Sequence, residues 1–138
     1  MRIRIALATA VLALPLVAAT ATAQSTQQAP LIHGTPSTCA IGENQGVKDG
    51  NVVVTEKQDG TVRVHVNIRN GLPNTTYQVA ITCERYIGTL VTNKAGNGAA
   101  NIDTAAPAKD VFGVDLANGE PGAPAGDSYV TGEVLTTK

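Results

Sequence analysis

Thr61-Val62-Arg63-Val64-His65-Val66-Asn67-Ile68-Arg69-Asn70 is the stretch that decides the fold. Val62, Val64, Val66 and Ile68 alternate without exception with Arg63, His65, Asn67 and Arg69. Successive side chains of a strand point to opposite faces, so this run lays an apolar face on a core and a polar face toward water. Helical geometry would scatter the same aliphatics around an axis. Just upstream, residues 51–57 read as a second strand, joined through Gln58-Asp59-Gly60, a short Asp-Gly connection of the kind that closes antiparallel hairpins.

Downstream, Gly71-Leu72-Pro73-Asn74 turns the chain. Tyr77, Val79, Ile81 and Cys83 then alternate with Gln78, Ala80, Thr82 and Glu84, a third strand that directs Cys83 to the core. Further strands are expected at 88–92, 99–104, 111–116 and 129–136. Between them lie a Gly/Asn turn at 93–98, a break at 105–109 around Pro107 and a Gly/Pro-rich loop at 118–127. With a short segment around 39–41 this makes about seven or eight strands, an all-β antiparallel sandwich.

The N-terminus reads differently. Arg2 and Arg4 precede an apolar run at 5–17, and the small residues at 18–23 end in Ala21-Thr22-Ala23, the small-x-small pattern of a signal-peptidase site. The apolar run is shorter than the roughly 20 residues that span a bilayer, and no second one follows, so cleavage before Gln24 is expected rather than an anchor. Ile3 separates the two arginines, unlike a twin-arginine signal, and no Cys follows the cut to carry a lipid. The division is then a signal peptide at 1–23, a flexible Gln/Ser/Thr/Pro lead-in at 24–38 and a β-sandwich domain at 39–138, in a secreted protein.

Removing 23 residues from 138 leaves 115, enough for one core. Two of the ten basic residues leave with the signal, so eight face eleven acidic ones for a net charge of −3. That balance disfavours nucleic acid, and anionic membranes after signal cleavage, as partners. The aromatics of the mature chain are Tyr77, Tyr86, Phe112 and Tyr129, with no Trp, so broad platforms for sugars or single strands are lacking. Cys39 and Cys83 are the only cysteines and are expected to pair after export. Their spacing is unlike the C-x-x-C of redox enzymes.

The run from Gly71 through Leu72, Pro73, Asn74, Thr75, Thr76 and Tyr77 to Ile81 resembles the E-to-F corner of fibronectin type III and related immunoglobulin-like sandwiches. There a Leu, a Pro-containing turn and a Tyr precede an alternating strand. The resemblance implies an immunoglobulin-like sandwich in which the Tyr77 ring packs under the loop and its hydroxyl bonds a backbone group upstream. It covers about a dozen residues, and the usual core Trp of an earlier strand is missing. The wider pattern, a signal peptide followed by Leu-Pro-Asn-Thr-Thr-Tyr, Gly-Thr-Leu-Val-Thr-Asn and Gly-Asn-Gly, is similar to small exported bacterial sandwich proteins and brings no catalytic residue with it.

Catalytic chemistry has little to stand on. His33 falls in the lead-in, where a catalytic group would not be held in place, and His65 lies on the outward face of its strand. No serine occupies a Gly-x-Ser-x-Gly setting. Asp103, Asp110, Asp115, Glu120 and Asp127 lie in or near loops, but no spacing selects a glycosidase pair and no Asp-rich run suggests a Ca²⁺ loop. Zinc would need more His or Cys than the chain has, so no metal or cofactor is expected. Asn74-Thr75-Thr76 matches a glycosylation acceptor, yet Asn and Thr also serve the turn itself.

Arg63, His65 and Arg69 form a basic stripe, with Arg85 near it. Together with Asp115, Glu120 and Asp127 they make the candidate binding surface. The expected function is a secreted, non-catalytic binding or structural module that contacts an extracellular protein or a cell-wall component through its loops or outer sheet. Two alternatives stand beside it: a small-ligand carrier, and a hydrolase built on the carboxylates Asp115, Glu120 and Asp127.

Overall fold

A computed structural model describes residues 24–34, 39, 46–119, 126–131 and 135–136. The expected signal peptide at 1–23, Glu120, residues 40–41 and the middle of the 118–127 loop lie outside the described residues. Among those described, every regular element is a strand: β1 Thr26–His33, β2 Val47–Glu56, β3 Thr61–Ile68, β4 Thr76–Ile81, β5 Arg85–Val91, β6 Gly98–Ala105, β7 Val111–Phe112, β8 Val114–Asn118, β9 Ser128–Thr131 and β10 Leu135–Thr136.

The deciding stretch behaves as its alternation requires. Val62, Val64, Val66 and Ile68 of β3 are buried, while Arg63 is exposed and His65 and Asn67 are half-buried. β2 and β3 pair antiparallel with Val52 opposite Val66 and Val54 opposite Val64, so two valine rows meet on one face. The Asp-Gly connection closes the hairpin: Gly60 N–H donates to the Lys57 carbonyl at 3.1 Å, Lys57 N–H to the Thr61 carbonyl at 2.9 Å, and Gly60 takes φ +79°. Gly adopts that left-handed conformation without the local backbone strain that an L side chain carries there.

Eight strands join into one antiparallel sheet in the order β5-β4-β8-β9-β1-β2-β3-β6, and β7 pairs with β10 separately. The sheet curls until its two end strands, β5 and β6, face each other and it is nearly closed. The seam between them is filled by side chains: Ile102 packs against Gly88, and Arg85 reaches across to the Ala105 carbonyl at 2.5 Å. The core inside is mostly aliphatic, with Leu31, Val52, Val64, Val66, Val79, Val114 and Leu116 fully buried beside Tyr77, Tyr129 and Phe112.

Three expectations are corrected. The lead-in read as flexible at 24–38 contains β1, which pairs with β2 along its length and with β9 over its last three residues, thereby joining the two halves of the sheet. Its alternation is hidden in sequence because its buried aliphatics are Ala29, Leu31 and Ile32, two of them adjacent, beside the polar Gln27 and His33. Pro30 is tolerated because it lies just before the β9 ladder begins, where β1 is still an edge. Cys83 does not face the core: β4 ends at Ile81, a turn begins with Glu84 N–H donating to the Ile81 carbonyl, and Cys83 is exposed at φ +54° within it. Asp115 is not in a loop; it is buried in β8, where it accepts the Thr82 hydroxyl at 2.7 Å. Cys39 and Cys83 are disulfide-bonded, as their number and expected compartment require.

Candidate functional site

Antiparallel pairing brings the ends of β1, β3, β5 and β8 together with the starts of β2, β4, β6 and β9 at one end of the sheet. His33, the last residue of β1, continues the core face after Ala29 and Leu31 and lies directly opposite Tyr129 of β9. The two rings stack, 4.4 Å between centroids and 8° between planes, and Tyr77 meets Tyr129 edge-on at 5.8 Å. Both ring nitrogens of His33 meet carboxylates: Nδ1 lies 3.2 Å from Asp49 Oδ2 of β2, and Nε2 lies 2.8 Å from Asp127 Oδ1, just before β9.

The carboxylates are themselves positioned. Asp49 accepts Asn70 Nδ2 at 2.9 Å, and its backbone carbonyl accepts Arg69 N–H at 2.6 Å. Asp127 N–H donates to Asn118 Oδ1 at 2.6 Å while Asn118 N–H donates to the Asp127 carbonyl, which closes the base of the β8–β9 loop. The Tyr77 hydroxyl donates to the second oxygen of Asp127 and accepts Leu72 N–H at 2.9 Å, the upstream backbone contact implied by the corner resemblance. The Tyr129 hydroxyl donates to the Arg69 carbonyl at 2.8 Å.

Electrostatics follow from this packing. Burial pushes the Tyr77 phenol up to about 12, and donation to the Asp127 carboxylate adds to the effect. Tyr129 rises too, through burial first and then the negative groups around it. Burial alone would lower His33, but hydrogen bonds and charge from Asp127 and Asp49 outweigh it and raise its pKa above 6.5.

Beside this cluster an open depression of about 630 Å³ lies where β3, β5 and β6 end or begin, lined by Asn67, Arg69, Val91, Asn93, Asn97 and Ala99 among others. The turn from β5 to β6 is braced by its own bonds, with Asn93 Oδ1 accepting Ala95 N–H and Asn97 N–H. Gly71 N–H donates to the Gly96 carbonyl at 3.0 Å and ties this turn to the one after β3.

The sequence-derived binding surface is dispersed. Arg63 pairs with Asp103 through two hydrogen bonds at 2.8 and 2.9 Å, Lys57 reaches the same carboxylate at 3.0 Å, and the cations hold Asp103 well below the usual carboxylate range. His65 Nδ1 contacts Asn101 Oδ1 at 2.9 Å. Arg69 alone of the stripe makes no side-chain hydrogen bond or ion pair among the described residues, and it is exposed in the depression. Asp127 sits at the same end as Arg69, inside the His33 cluster. Asp115 lies at the other end of β8, next to the β4–β5 turn. No group of three or more His, Cys, Asp or Glu suited to a metal ion occurs among the described residues.

His33, expected to lie unheld in a flexible lead-in, is instead fixed at the end of β1, and Asp49 is the site residue that sequence reasoning missed. The available signal was the two-residue step Ala29, Leu31, His33, obscured by the polar composition around it. Comparison with protein-family models, with curated proteins and with solved structures gives no match to this chain.

Proposed function

We propose that this chain is an exported, non-catalytic binding module whose site is the depression between the ends of β3, β5 and β6, and whose partner is an extended, acidic segment of an extracellular protein. The observation that carries the reading is Arg69: an exposed guanidinium without a partner among the described residues, set among the amides of Asn67, Asn93 and Asn97. A guanidinium presents a planar fork that matches a carboxylate, and the neighbouring amides offer donors to a backbone. Lys94, exposed in the β5–β6 turn, adds positive charge beside them.

The depression is open rather than enclosed, which suits a chain laid across it better than a small molecule needing burial on most sides. The disulfide is compatible with an oxidising, extracellular setting. We also read the curled sheet as a two-layer, immunoglobulin-like sandwich, with β1 shared between a β2-β3-β6 layer and a β9-β8-β4-β5 layer; the Tyr77 corner contact supports it.

A hexaglutamate peptide titrated into isotope-labelled protein tests the binding reading. Amide shifts confined to residues 67–69 and 91–99, lost in Arg69→Ala and kept in Arg63→Ala, are the expected outcome. Absence of shifts at millimolar peptide, or shifts retained in Arg69→Ala, would overturn it.

A further inference from the structure

A neutral imidazole owns one N–H and one lone pair, whereas an imidazolium donates from both nitrogens. His33 has a carboxylate at each nitrogen, 3.2 Å away on Asp49 and 2.8 Å away on Asp127. In the neutral form one of those two contacts sets lone pair against lone pair. In the charged form both are charge-assisted hydrogen bonds, held in place by the Tyr129 ring stacked on the imidazole. The ionisable groups facing His33 are Asp49 from β2, Asp127 from the segment before β9 and Tyr129 from β9, with Tyr77 of β4 behind Asp127.

We infer that His33 is a proton-operated lock: the imidazolium pins the ends of β1, β2 and β9 to one another, and loss of its proton loosens that end of the sheet. The lock reaches the neighbouring depression through backbone contacts. Arg69 gives its N–H to the Asp49 carbonyl, and its own carbonyl accepts the Tyr129 hydroxyl. Asn70 at φ +55° hangs on the Asp49 carboxylate. Both sides of the Arg69 backbone are therefore fixed by residues that touch His33.

The direction of the pH effect follows from linkage. The folded-state pKa of His33 lies above 6.5, near the value of an unfolded chain. The stabilisation is fully present below the unfolded value and is lost as pH rises through the folded one. Any change in ligand affinity rests on the binding reading above; the lock itself does not.

The test follows the ring signal of His33 from acid to alkaline pH in the unliganded His65→Gln protein, which leaves His33 as the one histidine of the sequence. A midpoint above 6.5 is expected, with the amides of Asp49, Arg69, Asn70 and Asp127 moving at the same midpoint, and Asp127→Asn should lower it. Thermal stability should fall through that midpoint and lose this slope in His33→Phe, which keeps a ring against Tyr129. If that variant does not fold, the Asp127→Asn shift still decides. A midpoint at or below 6.5, or titration without movement of the Arg69 and Asn70 amides, sinks the lock. Hexaglutamate failing to bind while these amides titrate would remove the binding reading and leave the lock standing.

Discussion

Two glycines share a backbone conformation and differ in surroundings. Gly60 and Gly96 have φ of +79° and +74°. A Cβ on Gly60 would meet nothing within 4 Å, while one on Gly96 would lie 2.0 Å from the Gly71 carbonyl oxygen. Gly60→Ala should therefore cost about 1 kcal/mol, the penalty of a left-handed conformation alone. Gly96→Ala adds a collision with backbone that cannot step aside without breaking the Gly71–Gly96 hydrogen bond, and should cost roughly 3 kcal/mol. Urea unfolding of the two variants gives the difference, and equal losses would mean that the turns after β3 and β5 are not packed as closely as described. Residue chemistry was legible in sequence where it depended on local pattern, as at Gly60. At His33 it depended on Asp49, Tyr129 and Asp127, which only the folded sheet brings to one place.

At the scale of elements, the strands that sequence located best are those with uninterrupted alternation. β3, β4 and β6 fall within a few residues of their expected positions because each carries its core face on every second residue. β1 escaped because half of its core face is Gln27 and His33. The seam escaped for another reason: no ladder defines it, and its contacts join β5 to β6 through side chains. Arg85 is the polar part of that closure, reaching the Ala105 carbonyl from a half-buried position while also pairing with Glu84. Arg85→Ala should speed amide exchange at the facing ends of β5 and β6 by roughly three- to tenfold. Amides shared by β1 and β2 should be unaffected. A uniform acceleration throughout the sheet would mean that Arg85 contributes to global stability and not to the seam.

The whole molecule is held at its two ends by different chemistry. One end carries the His33 cluster and the braced turns; at the other, Cys39 is bonded to Cys83 in the β4–β5 turn. The pairing was legible from a count of two cysteines, but its placement was not, because the alternation through Ile81 extends by eye into a turn that has already begun. Cross-linking residues 44 apart restricts the unfolded chain by roughly 4 kcal/mol in the chain-entropy account. The doubly substituted Cys39→Ser, Cys83→Ser protein should lose stability up to that amount. Since the bond acts chiefly on the unfolded chain and the lock on the folded one, with no shared partner, their effects should add. Urea unfolding of both proteins on either side of the His33 midpoint tests this: the loss on removing the bond should agree within about 0.5 kcal/mol at the two pH values. A larger loss on the alkaline side would show that loosening one end of the sheet transmits strain to the other, so that β1, the strand shared by both halves, couples them.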